Sequence, residues 1–125
     1  MPPKQSETLT EAELRVMNVL WERGSGTVQQ VLDSISQKLV LAYNSVLTTI
    51  RILEKKGYVA HAQDGRAYVY TPVVERSDAT RSEVRHLVQR LFRDSHELLV
   101  LNILEDSDLT ADEFQHLKQY LKDRE

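Results

Sequence analysis

The sequence predicts a mainly α-helical chain carrying one small β-hairpin. Three observations predict it. Apolar residues recur at helical spacing in six segments. Three of those segments open on a Thr-x-x-Glu or Thr-x-x-Gln capping box. Between the third and fourth segments the pattern switches to a period of two, around Asp64-Gly65.

The elements follow in chain order. Residues 1–8 are polar, hold two prolines and read as a flexible arm. A first helix is expected over residues 10–22. The Thr10 hydroxyl is placed to accept the Glu13 amide, and the Glu13 carboxylate to reach back. Leu14, Met17 and Leu20 or Trp21 form its stripe, and Gly24-Ser25-Gly26 ends it. A second helix over about 27–37 repeats the device with Thr27 and Gln30, and turns Val28, Val31, Leu32 and Ile35 to one face. The third runs from about Tyr43 to Lys56 and stops at Gly57, a natural left-handed terminator. Val46, Leu47, Ile50 and Leu53 are its apolar stripe.

Residues 58–63 and 66–71 are short, aromatic and β-branched. Asp-Gly between such runs signals a hairpin, here expected as a type I′ turn, and Pro72 should end the second strand. A fourth helix is expected over about 77–92, with Val84, Leu87, Val88 and Leu91 inside and Arg81, Arg85, Arg90 and Arg93 along it. A fifth, over about 95–105, is apolar nearly all round at 98–104. A box of Thr110 and Glu113 opens the last, ending near Asp123, with Phe114, Leu117 and Leu121 inside.

The expected division lies near residue 76. Residues 9–76 can bury one modest core, whereas 77–125 are too few to stand alone without outside help. Metal thiolates and disulfides are excluded, because there is no cysteine. Oligomerisation is the remaining help, so 77–125 is read as a helical dimerisation domain. Its expected contacts are Leu98, Leu99, Leu101, Ile103, Leu104, Phe114, Leu117 and Leu121. Packing back on the first domain is the plainer alternative for the apolar run.

The 125 residues carry 16 Lys plus Arg and 19 Asp plus Glu, a net charge of −3. That total argues against a nucleic-acid binder, which is often strongly basic. The distribution argues otherwise. Residues 38–70 hold five basic and two acidic groups, a net of +3, while 94–125 hold nine acidic and three basic, a net of −6. Local field steers a polyanion, not net charge. No apolar run approaches the length of a membrane span, so no membrane insertion is expected. The N-terminus shows no secretory h-region. The expected location is the cytoplasm.

Three helices followed by a hairpin match a winged helix, a helix-turn-helix variant whose second turn helix lies in the major groove. Here that helix is Tyr43–Lys56. Asn44 suits adenine, Arg51 suits guanine, and Ser45, Thr48 and Thr49 offer hydroxyls. Tyr43 opens this candidate DNA-binding set. Lys55, Lys56 and Arg66, at the hairpin tip, are expected on phosphates. An ordinary solvated face is the competing reading. It is weakened by the short hydroxyl and amide residues, which are poor choices for a plain exposed helix.

The residues also carry a resemblance. Leu-Thr-Glu-Ala-Glu (9–13), Val-Leu-Trp-Glu (19–22), Tyr-Asn-Ser-Val-Leu-Thr-Thr (43–49), Leu-Glu-Lys-Lys-Gly-Tyr (53–58) and Gly-Arg-Ala-Tyr-Val-Tyr (65–70) are similar to the penicillinase repressor family (BlaI/MecI/CopY type). Leu-Leu-Val-Leu-Asn-Ile-Leu-Glu (98–105) and Asp-Leu-Thr-Ala-Asp-Glu (108–113) continue the likeness. It implies a homodimeric repressor on a palindromic operator of double-stranded DNA, acting in antibiotic-resistance regulation. It further implies relief by a membrane sensor-linked protease that cuts after Asn in a Leu-Val-Leu-Asn-Phe segment. The matching bond is Asn102–Ile103, with Ile where that pattern has Phe. Asn102 could equally mark register within an apolar interface.

An enzyme is not expected. His96-Glu97 begins like a zinc-protease helix, but Val100 stands where the second His would be, and no phosphate loop or nucleophile elbow occurs. No metal site or cofactor is expected. Copper-responsive relatives use cysteines, which are absent. A winged-helix module that binds protein, or a regulator answering a small effector or metal through histidines, remain the alternatives.

Overall fold

The computed structural model describes residues 8–36 and 39–124. The expected arm, apart from Thr8, lies outside the described residues, as do Gln37 and Lys38. The elements are α1 (Glu11–Arg23), α2 (Val28–Ile35), α3 (Tyr43–Lys56), β1 (Val59–Asp64), β2 (Ala67–Pro72), α4 (Arg76–Leu91), α5 (His96–Leu104) and α6 (Ala111–Asp123). The fold is mainly helical with one antiparallel hairpin, as the sequence predicts.

Local chemistry starts the helices where expected. Thr10, Thr27 and Thr110 are N-caps, each closing a reciprocal box with Glu13, Gln30 and Glu113 respectively. α1 ends on Gly24 at φ +89°, and α3 ends on Gly57 at φ +88° in the left-handed region. The fourth helix begins at Arg76, one residue before the expected start, and ends at Leu91, one residue before the expected end.

The hairpin turn differs from expectation. Asp64 pairs with Ala67, so Gly65 and Arg66 are the two turn residues rather than Asp64 and Gly65. Gly65 has φ +63°, while Arg66 does not lie at positive φ. A type I′ turn needs two such residues. This turn needs one, at its first central position, as a type II′ turn does. Pro72 closes β2 as its last paired residue, opposite Val59. A third segment joins the hairpin at one point. Gly26 and Tyr70 exchange two backbone hydrogen bonds of 2.9 and 2.8 Å.

The chain divides into two compact units, one ending at Val84 and the other beginning at Arg85. The division falls inside α4, eight residues beyond the expected one at 76. The physical reason is local. Val74 and Ala79 are buried in the first core, and the Glu83 carboxylate accepts the Leu9 amide at 2.6 Å.

In the first unit, α1, α2 and α3 pack around Met17, Leu20, Val31, Ile50 and Leu53, all fully buried. Tyr58, Val59 and Tyr70 from the hairpin close one side of this core. In the second unit, α5 is capped by Ser95, whose hydroxyl accepts the Leu98 amide. α5 and α6 leave Leu98, Leu101, Ile103, Leu104, Phe114, Leu117 and Leu121 exposed, with Leu99 half-buried. Two consecutive left-handed residues, Arg93 (φ +51°) and Asp94 (φ +65°), make the turn after α4. Arg93 is therefore a turn residue and not part of the helix surface.

Candidate nucleic-acid interface

The interface is built on α3. At about 100° per residue, Asn44, Thr48, Arg51 and Lys55 fall within about 60° of one another around the helix. Val46, Ile50 and Leu53 occupy the opposite side, where they are 0–2% exposed. The burial of the second stripe therefore fixes the exposure of the first. Asn44, Thr48, Arg51 and Lys55 are all exposed. Tyr43 and Ser45 are exposed on the two flanks. Thr49 is half-buried, and its hydroxyl donates to the Ser45 carbonyl at 2.9 Å.

Lys56 is placed differently from the other expected contacts. Its ammonium donates to the Glu13 carboxylate at 2.8 Å and to the Thr8 carbonyl at 3.1 Å. Glu13 is the one charged residue among the buried ones of the described chain. It also accepts the Thr10 amide at 2.9 Å. Lys56 thus joins the end of α3 to the start of α1, and its charge is already matched. The phosphate contact expected of it is not what this geometry offers.

Arg66 is exposed at the turn of the hairpin, between β1 and β2. The wing is tied to α3 by a pair that sequence reasoning missed. His61 Nδ1 lies 2.6 Å from a Glu54 carboxylate oxygen. The His61 ring sits 4.7 Å from the Tyr68 ring and 5.5 Å from Tyr70, so the cluster holds β1 and β2 against the flank of α3. Tyr68 is half exposed and Tyr70 is buried, although both alternate onto one strand face. Burial pushes the Tyr70 hydroxyl above its ordinary value near 10, and the Glu54 carboxylate adds to this, while Arg51 opposes it. No spacing rule links position 54 to 61 across two elements, but an acid and a histidine flanking one turn were a legible hint.

The set can do three things chemically. It offers an amide and a guanidinium for base edges, short hydroxyls beside them, and cations for phosphates. Among the described residues no cluster of His, Asp or Glu could hold a metal ion. No helix of the described residues is long and apolar enough to cross a membrane.

Comparison with known proteins finds relatives along nearly the whole chain. The penicillinase repressor family profile matches residues 9–123. The chain is 30% identical to the penicillinase repressor of Bacillus licheniformis over 120 residues, covering 96% of this chain and 94% of that one. It is 26% identical to the methicillin resistance regulatory protein MecI of Mammaliicoccus sciuri, covering 90% and 92%. Among solved structures, the DNA-binding domain of the repressor BlaI shares 32% identity at a TM-score of 0.52, covering 62% of this chain and 90% of that one. The Bacillus licheniformis BlaI monomer in complex with the blaP half-operator shares 33% at 0.50, covering 58% and 88%. With the profile spanning nearly every described element and a relative matched almost end to end, the chain is a member of the penicillinase repressor family.

Proposed function

We propose that this DNA-binding transcriptional repressor works as a homodimer on a palindromic operator, each protomer placing α3 in a major groove. The observation that carries the reading is the α3 stripe of Asn44, Thr48, Arg51 and Lys55, exposed opposite a closed core. Arg51 and Asn44 are the base readers, with Thr48, Ser45 and Tyr43 beside them. Lys55 and Arg66 meet phosphates. The BlaI monomer solved on a half-operator supports this use of the first unit.

The dimer is supported by α5 and α6. Their apolar side chains are exposed along both helices, with Leu98, Leu101, Ile103, Phe114 and Leu117 each 41–47% exposed. A second copy is the cover that also supplies avidity to two half-sites. Relief follows from cutting Asn102–Ile103, which would split α5 within its apolar run. Chain recovered from cells exposed to a β-lactam should then start a fragment at Ile103. Chain that stays whole under induction overturns this part of the reading.

The DNA reading is tested on an operator selected from a random-sequence library. Arg51→Ala should lose ~1–3 kcal/mol, concentrated at particular base pairs. A uniform loss across all sequences would make Arg51 a phosphate contact. Absence of salt-sensitive, sequence-selective binding by the intact chain would favour a protein-binding winged helix.

A further inference from the structure

The start of α4 is fastened at one end of a two-turn stretch to α1, and at the other to Leu9, just before α1. The Trp21 indole N–H donates to the Val74 carbonyl at 2.9 Å, just before the helix begins. The Arg76 guanidinium lies 5.1 Å from the centre of the Trp21 ring and donates to the Asn18 side-chain carbonyl at 3.2 Å. Seven residues on, the Glu83 carboxylate accepts the Leu9 amide. Ala79 lies between them on the same face and is 3% exposed. Positions 76, 79 and 83 follow the i, i+3, i+7 pattern of one helix face. Their partners run the other way, from Trp21 and Asn18 back to Leu9, so the stretch lies antiparallel to α1. These polar contacts and the buried Val74 and Ala79 side chains attach the stretch to the head. Residues 85–91 belong to the same helix.

We propose that this latch makes Asn18, Trp21, Arg76 and Glu83 positioning residues that set the half-site spacing the repressor accepts. The inference rests on the dimeric reading above. Changing the spacer by one base pair moves a half-site by about 3.4 Å along the duplex and about 35° around it. A recognition unit free to pivot at the start of α4 follows that movement at little loss. A unit whose exit helix is latched does not, and discriminates between spacings without touching the spacer.

The test measures binding by fluorescence anisotropy to a half-operator and to full operators whose spacer is shortened or lengthened by one or two base pairs. The proteins are the intact chain, its Arg76→Ala/Glu83→Ala double variant, and Trp21→Phe, which keeps an aromatic ring but loses the N–H. The intact chain should lose about tenfold or more on a one-base-pair change, as avidity fails with geometry. The double variant should bind the half-operator within about twofold of the intact chain. It should bind the preferred spacing about tenfold more weakly and differ less than about threefold between spacings, as a pivoting pair would. Trp21→Phe should move in the same direction by less. A dimeric double variant with the original spacing profile overturns the latch. So does a half-operator affinity that falls as far as the full-operator affinity, which would make these contacts supports of the head alone. An intact chain that is dimeric yet indifferent to spacing overturns the latch and leaves the dimer standing. Sedimentation of the intact chain as a monomer on the full operator overturns both.

Discussion

Lys55 and Lys56 are neighbours with the same charge, and the fold sends them to different tasks. Lys55 falls on the exposed α3 stripe, while Lys56 turns back to the buried Glu13 carboxylate at 2.8 Å. Lys55→Ala should reduce the slope of log affinity against log salt by about 1, as removal of one phosphate contact does. Lys56→Ala should leave that slope unchanged and instead lower folding stability by about 3 kcal/mol, because it leaves the buried Glu13 carboxylate without its counter-charge. Denaturant melts and salt titrations of both variants separate the two roles, and a shared response would refute the division. The helical period made the α3 stripe legible in the sequence, since one buried face defines its opposite. The partner of Lys56 was not legible, because it lies 43 residues away and Glu13 already had a complete local explanation in the capping box. Tyr70 adds a pH dependence at this scale. Its raised pKa means that the folded state holds the phenolic proton after the unfolded state has begun to lose it. Below pH 10 both states are protonated and the group contributes no slope. As pH rises from about 10 towards the folded value, stability should fall. Tyr70→Phe should flatten this alkaline decline in thermal melts taken between about pH 9.5 and 11. An identical decline would remove Tyr70 as its source.

At the scale of elements, the helices were readable because their ends are written in short-range chemistry. Thr-x-x-Glu and Thr-x-x-Gln boxes start α1, α2 and α6, and glycine ends α1 and α3. Gly57 shows why. It sits at φ +88° immediately after α3, and its amide hydrogen-bonds back to the last turn. Gly57→Ala should cost about 1 kcal/mol, since a Cβ is disfavoured in that conformation. Chemical denaturation would check it, and a neutral substitution would mean that the chain can end α3 another way. Connections were less readable than helices. Asp64-Gly65 located the hairpin, but the turn is Gly65-Arg66, because strand pairing reaches Asp64–Ala67 and leaves only one residue needing positive φ. The Gly26–Tyr70 bridge and the His61–Glu54 pair were not readable. Each joins segments that become neighbours only after the core has closed. The turn at Arg93-Asp94 carries neither glycine nor asparagine, so nothing in composition announced two left-handed residues there.

For the whole molecule, a net charge of −3 argued against DNA only while the chain was treated as uniform. Residues 85–125 contain nine acidic and six basic groups, so the remaining 84 residues are neutral overall, with a surplus of +3 between 38 and 70. The acidic surplus therefore belongs to the unit proposed for dimerisation, and the basic segment contains α3 and the wing. The boundary between the units was only approximately legible, because the helical pattern of α4 is continuous and conceals which of its turns serve which core. Ala79 and Glu83 decide it, through one buried methyl group and one hydrogen bond to Leu9. Cutting the chain after Val84 should leave a folded monomer. Cutting after Glu75 deletes the Arg76 contacts, the Ala79 burial and the Leu9–Glu83 bond, and should cost the head about 2 kcal/mol relative to the longer fragment. Both fragments lack α5 and α6, so neither should dimerise. Each should lose about 10²–10⁴ in affinity for a full operator while keeping a detectable half-operator complex, because only avidity has been removed. Equilibrium sedimentation with denaturant melts of the two fragments is the measurement. A dimer of residues 1–84 would move the association surface into the head, and equal stability of the two fragments would return the boundary to residue 76.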